Sequence, residues 1–123
     1  MPQLVWEPVD LLSLLGVAPA VGEHEASHQY VIEQGPVRLQ ITIRQYDADV
    51  EILLWAVPLP EPVLKYSLLS CAGIRVVTDR GRFLEFAATT TFTGRYDGYS
   101  VIPHGLRLWV EPQITLEPFC WRA

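Results

Sequence analysis

From Val37 to Arg44 apolar and polar residues alternate without a break, with Val37, Leu39, Ile41 and Ile43 interleaved among Arg38, Gln40, Thr42 and Arg44. A period of two fits the pleat of a β-strand, whose successive side chains point to opposite faces, and not the 3.6-residue turn of a helix. This segment must put one face in a core and the other toward water. Gly35-Pro36 separates it from an earlier strand at Tyr30-Val31-Ile32-Glu33. Asp47-Ala48-Asp49 reads as a hairpin connection into a strand from Val50 to Val57, which begins by alternating and becomes apolar on both faces. Such a strand is central, or is covered on its outer side. The leucines at 11, 12, 14 and 15 are the obvious cover.

Those leucines belong to a short helix, with Pro8 in its first turn, Asp10 favourable to the dipole and Gly16 as its stop. The run Leu11–Val17 followed by Ala18-Pro19-Ala20 imitates a signal peptide. Glu7 and Asp10, however, stand where a leader would carry Lys or Arg. No run approaches the roughly 20 apolar residues of a membrane span, and the expected location is the cytoplasm. Pro58, Pro60 and Pro62 force a stiff extended connection. Residues 63–71 fit a strand or a short helix, and strand is slightly favoured. Ile74–Val77 and Phe83–Phe86 flank a turn, Thr78-Asp79-Arg80-Gly81, in which Gly81 can take a positive φ. Threonines between Ala87 and Thr93 favour strand, and Gly94–Tyr99 reads as a polar loop. Leu106–Val110 and Ile114–Leu116 complete the pattern, broken at Glu111-Pro112. The expected class is α+β, mostly β: a single antiparallel β-sheet or β-sandwich of about seven strands with a short N-terminal helix, one domain over residues 1–123.

Composition narrows the function classes. At 123 residues, with 50% hydrophobic and 19% charged, the chain can build a core without metal or disulfide. Fourteen acids against nine bases give a formal charge of −5. The bases, eight Arg and one Lys, are scattered, which argues against nucleic-acid or anionic-membrane binding. A basic protein partner suits that charge. The arginine excess and the proline content point to a GC-rich bacterial genome. Cys71 and Cys120 are too few for a disulfide framework and lie in no CxxC pair. They read first as buried hydrophobes, with a single bridge between them left open.

One string carries a sharp chemical pattern. His24-Glu25-Ala26-Ser27-His28 satisfies H-E-x-x-H, in which two histidines one helical turn apart grip zinc and the glutamate serves as base toward the attacking water. Its context opposes that reading. Gly22 stands just before it, a β-like run begins at Tyr30, and no apolar helical stripe crosses Val21, Ala26, Tyr30 and Val31. Position 34, where the extended motif has a third histidine, is Gln34. Glu33, Glu51 or a later glutamate would have to serve as the third ligand without any motif around it. The favoured expectation is a flexible polar connector over 21–29 with both imidazoles in solvent, and no metal or cofactor.

Weaker constellations favour structural roles. Asp47, Asp49 and Asp97 are short acids in turns, where Asp bonds its own backbone, and no calcium-loop pattern surrounds them. No G-x-S-x-G elbow, phosphate loop or dinucleotide fingerprint occurs. A Cys71/His104 nucleophile pair needs a proximity that spacing does not supply. The chain is therefore expected not to be an enzyme.

If Leu106, Leu108 and Val110 face a core, Arg107 and Trp109 face outward together, as do Arg75 and Val77 opposite Ile74 and Val76. Arg38 and Arg44 face out from their own strand. Arginine and tryptophan dominate binding hot spots, so Arg38, Arg44, Arg75, Arg107 and Trp109 form a candidate partner surface. The commoner arrangement shelters Trp55 and Trp109 beneath the helix or the polar loops. The leading expectation is a non-enzymatic domain that binds another protein, with a homodimer through an exposed sheet edge also open. A zinc hydrolase using His24, His28 and Glu25 is the alternative, and a β-barrel holding a small apolar ligand near Trp55 is the third. In size, acidity and β-rich character the chain resembles bacterial toxin-neutralising immunity proteins. That resemblance implies a protein partner and assigns no residue a role.

Overall fold

The alternation at 37–44 is realised as the centre of a five-stranded antiparallel sheet in a computed structural model that describes residues 4–79, 81–88 and 104–120. Helix α1 (Pro8–Leu15) is followed by β1 (Ala20–Val21), a 3-10 turn (Glu23–Glu25), β2 (His28–Gln34), β3 (Val37–Arg44), β4 (Asp49–Ala56) and β5 (Leu64–Leu68). A second sheet holds β6 (Gly73–Thr78), β7 (Arg82–Ala87), β8 (His104–Trp109) and β9 (Thr115–Cys120). Both sheets are meanders in sequence order. The open choice between one sheet and two is thus resolved as a sandwich. Nine strands are present among the described residues. The expected strand from Ala87 to Thr93 is β7 as far as Ala87, and positions 89–93, the loop at 94–99 with Asp97, and Arg80 lie outside the described residues.

Register explains the core. Leu39, Ile41 and Ile43 pair with Leu54, Ile52 and Val50, so the apolar rows of β3 and β4 share one face. Leu84 and Phe86 pair with Leu108 and Leu106 in the second sheet. These faces meet in one cluster in which Leu39, Ile41, Ile43, Ile52, Leu84 and Phe86 have no exposed surface. Two inner faces packed together, each with polar residues on its reverse, are what alternating strands require. Gln34 ties the layers at one end: its Nε2 donates to the Val110 carbonyl at 3.0 Å, and the Ile114 N–H donates to its Oε1 at 2.6 Å.

The helix begins with Pro8 and ends at Gly16, whose φ of 74° closes the last turn through an N–H bond to the Leu12 carbonyl. Leu11 and Leu15, one turn apart, are buried. Their site corrects one expectation, since α1 packs against β6 and β7 and does not cover β4. The cause lies upstream of the helix. Val5 bonds Ala72 and Ile74 in a parallel bridge at Gly73, which ties the N-terminal segment to the second sheet. Arg82 Nη2 donates to Ser13 Oγ at 3.0 Å and holds the same docking. Residues 64–68 are strand, and β9 runs on to Cys120, past the expected end at Leu116.

Candidate functional site

The outer face of the four-stranded sheet carries a charged row assembled one residue per strand. Register places Arg75 opposite Glu85, Glu85 opposite Arg107, and Arg107 opposite Glu117. Arg75 donates to Glu85 Oε1 from Nε at 2.8 Å and from Nη2 at 2.6 Å. Arg107 donates from Nε to Glu85 Oε2 at 3.2 Å and from Nη1 to Glu117 Oε1 at 3.2 Å. Glu85 is 4% exposed, so its carboxylate trades water for two guanidinium partners. The Arg107 guanidinium lies 4.5 Å from the Phe119 ring centre and 5.7 Å from that of Phe83. Phe83 in turn stacks tilted on Trp109 at 4.7 Å. Gly105, two residues before Arg107 on the same face of β8, leaves no room for a side chain, since a Cβ there would strike the Phe86 carbonyl oxygen.

Three of the five expected surface residues, Arg75, Arg107 and Trp109, therefore share one face. Arg38 and Arg44 lie on the outer face of the other sheet. Arg38 rests over the Trp55 ring at 5.2 Å, and Arg44 borders a shallow recess of about 310 Å³ with Ser27, Gln29 and Thr42. Trp55 thus belongs to an outer surface and lines no barrel interior, which corrects the ligand-barrel expectation near it. The sequence reading passed over Glu85, which organises the row. Its signal was present in Phe83-Leu84-Glu85-Phe86, a lone acid on an otherwise apolar strand.

The H-E-x-x-H string does not form a helical turn. His24 and Glu25 both take left-handed backbone, φ 54° and 57°, within the short 3-10 turn, while His28 opens β2. His24 is exposed. His28 is 7% exposed on the inner face, edge-on to Trp6 at 5.0 Å, with its Nδ1 unpartnered. The expectation of a loop connector over 21–29 with both rings in solvent holds for His24 and is corrected for His28, which belongs to β2 and is buried. The Tyr46 hydroxyl donates to the His24 carbonyl at 3.1 Å, Gln45 Nε2 to the Glu25 carbonyl at 2.6 Å, and the Gly22 N–H to the Ser27 carbonyl at 2.8 Å. Strand pairing with Ile43 places His28 inward, since the Tyr30/Ile32 alternation extends back through it. Among the described residues no three His, Cys, Asp or Glu side chains converge as metal ligands.

Cys71 and Cys120 are both free. Cys71 is fully buried, and burial pushes its thiol up to about 12, so it is a poor nucleophile beside any histidine. His104 pairs across the strands with exposed Cys120, and not with Cys71. Of the turn acids, Asp49 accepts the Ser70 N–H at 3.2 Å and Asp47 is exposed. Among the described residues no helix is long and apolar enough to cross a membrane.

No protein-family model and no curated protein matches the chain. Among solved structures, a chain of the contact-dependent growth inhibition toxin–immunity protein complex from Klebsiella pneumoniae 342 has a similar fold, with a TM-score of 0.76 over 96% of this chain and 97% of its own. The two sequences are 13% identical, so the likeness is one of fold.

Proposed function

We propose that this chain is a protein-binding module of the immunity type, which acts by docking on a protein toxin. The observation that carries the reading is the end-to-end fold likeness to a chain of a toxin–immunity protein complex. The charge of −5 supports it, because an acidic surface steers a basic partner into encounter. The face bearing Arg75, Arg107 and Trp109 is the proposed contact region, since arginines held by a buried acid are pre-organised and lose little rotamer freedom on docking. Arg38 and Arg44, on the opposite layer, cannot share one contact patch with them.

The test is a binding and growth-protection screen in which this chain is co-expressed with candidate protein toxins, beginning with any encoded next to its gene. Growth should be restored, and the two proteins should elute as one complex. Trp109→Ala should weaken the complex about tenfold or more if this residue is a hot spot, with circular dichroism confirming the fold. Growth arrest caused by this chain alone would assign it to the toxin side and overturn the proposal. So would failure to protect together with failure to bind.

A further inference from the structure

We propose that β5 is a self-association edge, where a second copy of this chain adds antiparallel about a two-fold axis at Tyr66. The inference is independent of toxin binding and starts from the four sheet edges. A free strand edge presents unpaired N–H and C=O groups, which proteins usually shorten, cover or block. β1 is only two residues long. β6 is flanked by Val5, which bonds on either side of Gly73, and by α1. β9 carries Pro118, which has no N–H to offer a further strand. β5 is five residues long and, among the described residues, has none of these devices.

Its sequence is complementary to itself. In an antiparallel pair centred on Tyr66, Leu64 faces Leu68 of the second copy and Lys65 faces Ser67. One step further out, Val63 faces Leu69. Val63 and Leu69 are 55% and 72% exposed in the single chain, and this register covers each with the other, twice. Charge follows the same symmetry. Lys65, the one lysine of the chain, lies next to Leu53, and Ser67 lies next to Glu51. Across the seam, Lys65 therefore approaches Glu51 of the second copy over the small Ser67, about two strand spacings or 10 Å away. An extended lysine and a glutamate span that distance. Among the described residues neither Lys65 nor Glu51 forms an ion pair within its own chain. A lysine guards an edge by being stranded when another strand arrives, whereas this pairing gives it an acid.

Sedimentation equilibrium on the full chain, from micromolar to millimolar concentration at low salt, reads the outcome. A species of twice the 13.9 kDa chain mass is expected. Lys65→Glu and Glu51→Lys should each weaken association about tenfold or more by placing like charges across the seam. The double reversal should restore it. A monomer throughout the range overturns the proposal, as does a dimer indifferent to the single reversals or not recovered by the double. Amide exchange on the unsubstituted chain gives a second reading. Exchange on residues 64–68 should slow as concentration rises, and concentration-independent exchange there overturns the assignment. Protection of β5 that arises only with another protein bound would give the edge to that protein instead.

Discussion

Residues 24–28 and the row Arg75–Glu85–Arg107–Glu117 are opposite kinds of constellation. The first is contiguous and satisfies a catalytic pattern, yet the fold sends its two imidazoles apart, one to solvent on a left-handed turn and one into the core on β2. The second spans 43 positions of chain, matches no motif, and is drawn together within 3.2 Å by strand register. Neighbours in sequence make a site only when the local backbone is the one the chemistry needs. Residues far apart in a meander become neighbours whenever the register says so.

The comparison breaks most readily at Glu85. Replacing it with Ala leaves the half-buried Arg75 and Arg107 without the buried acid they share. Removing one partner of a buried ion pair costs about 3–5 kcal/mol. The lower figure is expected here, because the arginine side chains keep 18% and 25% of their exposure and can turn to water. Chemical denaturation of the variant checks it. A loss under about 1 kcal/mol would place the row with ordinary surface pairs.

Much of this architecture was legible and some was not, for identifiable reasons. The period at 37–44 gave the inner and outer faces of β3, and Pro8 with Gly16 gave both ends of α1. The four leucines announced a helix that packs on a sheet, but not which of them are buried (Leu11 and Leu15 are, and Leu12 is exposed) nor against which strand. That was decided by Val5, whose parallel bridge to Gly73 no periodicity announces. β1 has two residues, too few for any period to show. The polarity of imidazole argues for a loop at His28, although Tyr30 and Ile32 already set the phase that turns it inward. Alternation points Arg75 and Arg107 outward, but it does not bring them to Glu85, because pairing that acid with both requires the register of three strands at once.

Cys71 sharpens the same contrast with a smaller effect. Ser70-Cys71-Ala72-Gly73 is another contiguous string with a reactive group, and burial silences it. Its thiol sits near 12 in the fold against 9.0 unperturbed. Because the folded value is the higher, the folded chain holds this proton where the unfolded chain has lost it. The contribution is whole below pH 9 and declines as pH rises toward 12. At about 1.4 kcal/mol per pH unit beyond the unfolded value, stability at pH 10.5 should drop by about 2 kcal/mol. Denaturant melts from pH 8.5 to 10.5 should show this loss in the wild type and not in Cys71→Ala, and equal losses in both would assign it to other groups. Thiol labelling of the native chain near neutral pH should modify Cys120, which is exposed, and spare Cys71. Labelling of both at equal rates would contradict the burial of Cys71.

The smallest effect tests the turn itself. Glu25 holds φ 57° without being glycine, an arrangement disfavoured for residues with a Cβ. What the turn uses at this position is the backbone carbonyl, which accepts from Gln45, and not the carboxylate. Glu25→Gly keeps that bond and relieves the backbone, so a gain of about 0.5–1 kcal/mol is expected after the larger entropy of an unfolded glycine is set against it. The melting temperature should rise slightly. Zinc added to the wild-type chain should leave it unmoved, since a ligand stabilises only by binding the folded form and the left-handed pair at 24–25 holds the two rings apart. A zinc-dependent rise that Glu25→Gly abolished would mean that the contiguous string does assemble, and that the strained turn is a resting arrangement of a metal site.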